Sequence, residues 1–183
     1  MRPGRALLLG LALGSLGCRT APPSLPVAPS EVVSGASAAY SLLPTRAGWS
    51  RLERDDSATQ DLTLRHETGV TVVVHVHRSQ NASIDSVVAA RRLVLGAEYE
   101  FVRIEEERSF SAQPGFVPLS VAEYRVRTPT SGGWFPIRVG TGSREDVIVE
   151  LIAIGLESPT YTALFQDLLS GLWLGDRPVP RGP

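Results

Sequence analysis

The feature that most constrains the fold is a period-two alternation of apolar residues on both sides of a Thr-Gly pair. Leu62 and Leu64 alternate with polar neighbours, and every second residue from Val70 is then a valine for seven positions. Two alternating runs joined by a short segment with glycine predict an antiparallel hairpin. A three-residue loop over 67–69 pairs Leu64 with Val72 and keeps one face apolar, whereas a two-residue turn would place charge in the valine row. We therefore expect the three-residue loop.

Two helices are predicted after this hairpin. Ser83 is a suitable N-cap for a helix that extends to Leu95, and Gly96 is expected to end it. The apolar stripe of this helix consists of Ile84, Val87, Val88, Val94 and Leu95. Ser158 and Pro159 begin the second helix, in which apolar residues recur at helical spacing as far as residue 172.

Strands are predicted between the two helices, over 102–106, 119–127, 134–139 and 147–154. Pro136 cannot donate to a ladder, so its strand is expected at an edge or at a bulge. The strand over 147–154 is apolar on both faces except for Glu150, as a central strand would be. The order of strands, helix, four strands and helix predicts an α+β domain in which a mainly antiparallel, twisted sheet packs against two helices.

The N-terminal segment predicts export from the cytoplasm. Arg2 and Arg5 precede an apolar run over 6–16 that is too short to span a bilayer but is typical of a secretory signal peptide. The run ends at Ser15-Leu16-Gly17-Cys18, which resembles a bacterial lipobox, although leucine is usual where Ser15 stands. The resemblance implies cleavage before Cys18 and acylation (palmitate) of that residue. The alternative is a plain secretory signal with an incidental cysteine.

These features divide the chain into four parts. We expect a signal peptide over 1–17, a tether rich in Pro, Ser and Ala over 18–38, an α+β domain over 39–175 and a disordered tail over 176–183. The predicted attachment is to a membrane through acylated Cys18. Arg19 is not the aspartate that resembles an inner-membrane retention signal, so we expect a cell-envelope location in the outer membrane, facing the periplasm.

The order of elements resembles the PsbP-like fold. The features that carry the resemblance are Gly48-Trp49, the Val70–Val76 strand, the Ser83 helix, the Tyr124 strand and the Tyr161–Trp173 closing helix. Proteins of this fold are small non-enzymatic accessory or assembly factors, and the resemblance implies such a role here. It carries no catalytic or cofactor motif.

Few residues of the chain are in patterns typical of metal-binding or catalytic chemistry. His75 and His77 lie at i and i+2, and the chosen hairpin register places Asp61 opposite His75, which would complete a two-histidine, one-carboxylate metal set. The alternative, which we favour, is that both histidines are solvated on the polar face of a strand. Residues 140–143 (GTGS) resemble a phosphate loop, but they lie between strands, where a hairpin connection is expected. No nucleophile elbow or triad is present, so neither an enzyme nor a cofactor is predicted.

Trp134 is the candidate for binding a partner. It is opposite in parity to Phe135, Ile137 and Val139, so it is expected to be exposed at a sheet edge, where an aromatic side chain is a good anchor. A formal charge of −1, from 18 basic and 19 acidic residues, gives no attraction to nucleic acid. The sequence therefore predicts a lipid-anchored, non-enzymatic accessory or assembly subunit of a bacterial envelope complex. The alternative is a periplasmic module that binds a small ligand or a lipid.

Overall fold

The computed structural model describes residues 24–52, 60–78, 83–99, 101–110, 119–128 and 132–175, with 101–110 described by backbone alone. The strands of these ranges are β1 (Ser24–Pro26), β2 (Tyr40–Ser41), β3 (Trp49–Leu52), β4 (Gln60–His66), β5 (Thr71–Arg78), β6 (Phe101–Phe110), β7 (Leu119–Arg127), β8 (Trp134–Arg144), β9 (Val147–Ile154) and β10 (Trp173–Leu174). The helices are α1 (Ile84–Glu98) and α2 (Pro159–Gly171).

Eight strands form one sheet in the order β1-β3-β4-β5-β9-β8-β7-β6, and all neighbours are antiparallel. A second, two-stranded pairing joins β10 to β2. The predicted α+β class, with a large antiparallel sheet and two helices, is confirmed. β9 lies in the middle of the sheet between β5 and β8, as its apolar sequence predicted.

The two helices cover opposite faces of the sheet. Alternate residues of β9 separate cleanly: Leu151 packs in one cluster with α2 residues such as Leu168, whereas Ile152 packs in another with Leu95 of α1. This separation follows from the period of two in a strand, which directs successive side chains to opposite faces. The molecule therefore has three layers, and we call the two sides of the sheet the α2 face and the α1 face.

The hairpin between β4 and β5 has the predicted three-residue loop. Leu64 pairs with Val72 and Leu62 with Val74, so these apolar side chains share the α2 face. Gly69 has φ +90°, a left-handed conformation that glycine adopts without the steric cost of a Cβ. The predicted register near the loop is confirmed.

Both helices begin where the sequence predicted. The Ser83 hydroxyl accepts from the N–H of Ser86, and the Ser158 hydroxyl accepts from the N–H of Tyr161. The expectation that Gly96 ends α1 is wrong, because the helix continues to Glu98. Gly96 is exposed there, and a single glycine near the end of a helix lowers its stability without interrupting it.

The domain begins earlier than predicted. β1 pairs with β3, and Val27 and Val33 are buried in the cluster on the α2 face. Residues 24–38 therefore belong to the packed domain, whereas the sequence predicted a tether as far as 38. The signal peptide, Cys18 and the tail over 176–183 lie outside the described residues and stay predictions.

β8 is not an edge strand, because it lies between β7 and β9, but Pro136 itself lies at a local edge. β9 ends opposite Ile137, so at Pro136 only β7 is adjacent, through Arg125. The carbonyl of Pro136 and the N–H of Arg138 both point to the hydroxyl of Tyr161, away from β7. The proline nitrogen also points away from β7. An N–H group at this position would not have bonded to β7, so the proline removes no hydrogen bond from the β7–β8 pairing.

Residues 140–143 are not a hairpin connection, since they continue β8 and the turn follows at Glu145 and Asp146. Packing explains why Gly140 and Gly142 are glycines. A Cβ on Gly140 would collide with Leu169 of α2, and one on Gly142 would collide with Leu119. These two glycines let the neighbouring side chains approach the sheet closely.

Candidate functional site

The candidate site is a surface around Trp134, at the start of β8. Trp134 pairs with Arg127 at the end of β7, and its side chain is 48% exposed. The Arg127 guanidinium carbon lies 5.7 Å from the centroid of the Trp134 ring, which is a cation–π distance. Ile137 and Val139 are buried on the opposite face, so the predicted exposure of Trp134 is confirmed.

β8 is not an edge strand, because β7 and β6 lie between it and one end of the sheet. Trp134 nevertheless lies at a local edge, because β9 ends opposite Ile137 and Trp134 is paired only with β7. The position of α2 adds to its exposure, since the first turn of α2 is fixed level with Arg138 through the hydroxyl of Tyr161. The helix then runs over Gly140, so it leaves the beginning of β8 uncovered.

Ion pairs order side chains on the same face of β7 and β8 as Trp134. Arg138 contacts Glu123 at 2.7 Å and Glu157 at 3.4 Å, and Arg125 contacts Glu157 at 3.3 Å. Leu156, which precedes Glu157 in the chain, is 82% exposed. We call the set Trp134, Arg127, Arg125 and Glu157 the Trp134 surface. It joins exposed apolar area to fixed charges, which is the composition of a protein-binding patch.

Tyr161 of α2 connects this helix to β8 and β9 by hydrogen bonds. Its hydroxyl donates to the carbonyl of Ala153 at 2.9 Å and accepts from the N–H of Arg138 at 3.2 Å. Burial raises the pKa of this phenol above its usual range, although the nearby Arg138 charge opposes the shift. Tyr161 is therefore a neutral structural group, not an acid or a base at neutral pH.

A buried polar network lies on the α1 face. Arg91 of α1 donates through Nε to Glu150 Oε1 at 2.8 Å and through Nη2 to Thr141 Oγ1 at 2.8 Å. His77 Nε2 lies 2.8 Å from the other carboxylate oxygen, Glu150 Oε2. Arg91 is 8% exposed and Glu150 is 4% exposed. Burial alone would raise the pKa of Glu150, but the hydrogen bond from His77 and the Arg91 charge hold the pKa below its usual value.

The structure corrects both expectations for the histidines. His75 is buried rather than solvated, and His77 is half-buried beside Glu150. Asp61 does not lie opposite His75, because a bulge between Gln60 and Leu62 places Gln60 there. Asp61 instead accepts from the N–H and hydroxyl of Ser37. Within the described ranges, no group of three or more His, Cys, Asp or Glu side chains is placed to hold a metal ion.

Arg91 and Arg127 were not among the residues predicted from the sequence. Arg91 lies four residues from both Val87 and Leu95, so it belongs to the inward stripe of α1. Glu150 was the single charge in a central strand. A cation in a buried stripe and a lone carboxylate in a buried strand together indicate an ion pair. The contact of Arg127 with Trp134 depends on the register between β7 and β8, and the sequence does not predict that register.

Two open grooves lie at the β1 end of the sheet. One, of about 260 Å³, is lined by residues that include Leu25, Arg51 and Asp61. The other, of about 370 Å³, lies beside Trp49 and His66. Both are open to solvent, unlike the enclosed sites that bury most of a small ligand. Neither helix among the described residues is long and apolar enough to cross a bilayer.

Comparison with known proteins identifies the fold. No protein-family model and no curated protein sequence matches the chain. The solution structure of cyanobacterial PsbP (CyanoP) from Synechocystis sp. PCC 6803 matches with a TM-score of 0.60 and 14% identity, over 88% of this chain and 98% of that chain. A point mutant of the protein Mog1 matches with a TM-score of 0.55 and 11% identity, over 80% of this chain and 96% of that chain. The PsbP-like fold predicted from the sequence is confirmed.

Proposed function

We propose that this protein is a lipid-anchored, non-enzymatic accessory or assembly subunit of a bacterial envelope complex, and that it binds its partner through the Trp134 surface. The observation that carries the proposal is the half-exposed Trp134 ring with the Arg127 guanidinium over it. Tryptophan and arginine are the side chains most enriched among residues that dominate binding energy at protein interfaces. A tryptophan already ordered by its neighbour loses less conformational entropy on binding.

The fold supports an accessory role by analogy. This chain shares its fold with a cyanobacterial PsbP and with Mog1 over most of its length. The PsbP-like resemblance implies a small non-enzymatic factor, and one fold can serve several functions. On the α1 face, Arg91, Glu150 and His77 are engaged with one another, which suits a structural role for these three groups.

The geometry of the chain is compatible with anchoring at Cys18. The first described strand begins at Ser24, six residues later, and six residues span at most about 20 Å. An anchor at Cys18 would therefore keep β1 close to the bilayer. β8 lies five strands across the sheet from β1, or about 24 Å, so the Trp134 surface would remain accessible to a membrane-proximal partner.

The test is crosslinking and affinity capture of the tagged full chain from membranes. Trp134→Ala should reduce recovery of the partner at least about tenfold, because residues of this kind contribute about 2 kcal/mol or more to binding. Its thermal midpoint should stay close to that of the wild type, since the ring is half-exposed and its removal leaves no buried cavity. Leu25→Ala is the matched control: it removes an exposed side chain at the other end of the sheet and should leave capture unchanged.

Cys18→Ala tests the anchor in the same preparation. We expect it to move the protein out of the membrane fraction and to abolish capture. Equal capture by Trp134→Ala and the wild type would overturn the docking surface, and unchanged fractionation of Cys18→Ala would overturn the anchor. A wild type that is membrane-bound but recovers no partner would favour the small-ligand alternative, which native mass spectrometry would then show as a retained molecule.

A further inference from the structure

The first described segment of the chain buries few of its side chains. We call residues 24–38 the strap, which runs from β1, at one end of the sheet, to the residue before Ala39 and β2. Val27 and Val33 are the only buried residues of this described segment, whereas α2, which is shorter, buries five. Burial of apolar side chains is the main favourable contribution to folding, so the strap receives little of it for its length.

The backbone of the closed strap is strained. Ser30 has φ +63° and Ala38 has φ +53°, in the left-handed region that is sterically costly for residues with a Cβ. Among the described residues, the only other non-glycine residue in this region is Glu145, in the turn between β8 and β9. Strain of this kind persists only where the surrounding structure imposes it. The strap would therefore lose this strain on leaving the domain.

Asp61 fastens the strap near its end, at Ser37. The bulge between Gln60 and Leu62 takes Asp61 out of the β4–β5 pairing. Its Oδ1 accepts from the N–H of Ser37 at 2.8 Å, and its Oδ2 accepts from the Ser37 hydroxyl at 3.0 Å. The Arg78 guanidinium donates to the carbonyl of Ser37 at 2.9 Å. Hydrogen bonds that involve a charged group are stronger than neutral ones, so these contacts make Ser37 the firmest point of attachment.

We propose that the strap opens as a unit while the rest of the domain stays folded, and that Asp61 holds it closed. The hydrogen bonds of the strap to β3 and to Leu42 join backbone to backbone, and on opening they are exchanged for bonds to water at a small net cost. The strap also has the Pro-, Ser- and Ala-rich composition that predicted a tether. Its composition thus favours the open form, and its contacts with the sheet favour the closed form.

Opening changes how far the domain can move from the membrane, a consequence that rests on the proposed anchor at Cys18. With the strap closed, the six residues from Cys18 to Ser24 span at most about 20 Å. The fifteen residues of the strap add at most about 50 Å when they are extended. The strap is therefore a reserve of tether length, which would let the Trp134 surface meet partners farther from the bilayer.

Hydrogen exchange of the full chain, followed by mass spectrometry, tests the opening. Relative to their intrinsic rates, the hydrogen-bonded amides of Val27 and Val33 should exchange at least about tenfold faster than those of β9, at the centre of the sheet. Arg91→Leu is the control for global unfolding, because it weakens the α1 face and the strap packs on the α2 face. It should raise the exchange rate of β9 and leave that of the strap unchanged.

Asp61→Ala tests the role of Asp61 by the same measurement. It removes both acceptors of Ser37, so the amides of the strap should exchange at least about tenfold faster than in the wild type. Ser37→Ala removes one of the two bonds and should give a smaller increase. Asp146→Ala is the matched control, because it removes an exposed carboxylate from the β8–β9 turn and should leave the strap rate unchanged. Protection of β9 in each sample shows that the variant is folded.

Three outcomes would overturn the proposal. A strap that exchanges at the rate of β9 in the wild type, or whose rate rises together with that of β9 in Arg91→Leu, opens only by global unfolding. An unchanged strap rate in Asp61→Ala would mean that Asp61 does not hold the strap closed. None of these outcomes depends on the anchor, which the fractionation of Cys18→Ala tests separately.

Discussion

α1 and α2 cover opposite faces of one sheet, but they are attached to it by different chemistry. α2 contributes Tyr161, Leu164, Phe165, Leu168 and Leu169 to a large apolar cluster. α1 contributes Val87 and Leu95 and, between them, Arg91, which is paired with Glu150 of the central strand. The α2 face is therefore held mainly by burial of apolar area, whereas part of the α1 face is held by a buried ion pair.

This difference decides how each face responds to substitution. Removing buried apolar atoms costs their transfer free energy and that of the cavity left behind, and removing a second apolar side chain does not recover this loss. A buried ion pair is costly to break at one end, because it leaves a charge without a partner, yet removing both ends costs little. The two faces should therefore differ most clearly in whether a second change rescues the first.

The largest expected effect follows removal of one end of the ion pair. Arg91→Leu leaves the Glu150 carboxylate buried without its cation, so we expect the free energy of unfolding to fall by about 3–5 kcal/mol. The combined Arg91→Leu and Glu150→Leu variant should recover most of that loss. Urea denaturation of both variants measures the effect, and additive losses in the double variant would contradict this account of the α1 face.

The next effect belongs to the α2 face. Leu168 is fully buried, so Leu168→Ala should lower the free energy of unfolding by about 2–5 kcal/mol through lost burial and a residual cavity. Leu156→Ala removes the same side chain from an exposed position and should change stability by less than about 0.5 kcal/mol. A similar cost at the two positions would mean that α2 is not the main apolar cover of the sheet.

The smallest expected effect is the pH dependence of the α1 face. Because the folded pKa of Glu150 lies below its usual value of 4.5, the carboxylate contributes stability above that pH, and the contribution is lost as the pH falls through the folded pKa. Between pH 6 and pH 3 the thermal midpoint of Glu150→Gln should therefore fall less steeply than that of the wild type. Glu67→Gln, at an exposed position in the hairpin loop, should follow the wild-type slope.

Local patterns predicted much of the fold. α2, β7 and β9 match the predicted ranges closely because each is long and strongly periodic. The start of each helix was predictable because serine caps act within one turn. β1 was missed because three residues cannot show a period, and its burial depends on pairing with β3.

The site was less predictable, because it depends on contacts between distant parts of the chain. The exposure of Trp134 followed from parity alone, but its uncovered position depends on where α2 begins. The predicted place of Asp61 failed because one bulge shifts the register by a residue. Arg91 was overlooked because the inward stripe of α1 was predicted from apolar residues alone. An arginine can also belong to a buried stripe, because its apolar stem can be buried when its head group is paired.

The strand order has a consequence for how the chain folds. β3, β4 and β5 are neighbours in sequence and in space, as are β6, β7, β8 and β9, so within the eight-stranded sheet the two meanders meet where β5 pairs with β9. We expect the loop-closure entropy of this distant pairing to be a main topological barrier to folding. A slip of one residue there would turn Glu150 into the apolar cluster under α2 and away from Arg91. A single carboxylate thus penalises misalignment of the two halves, and we expect it to act on folding fidelity as well as on native stability.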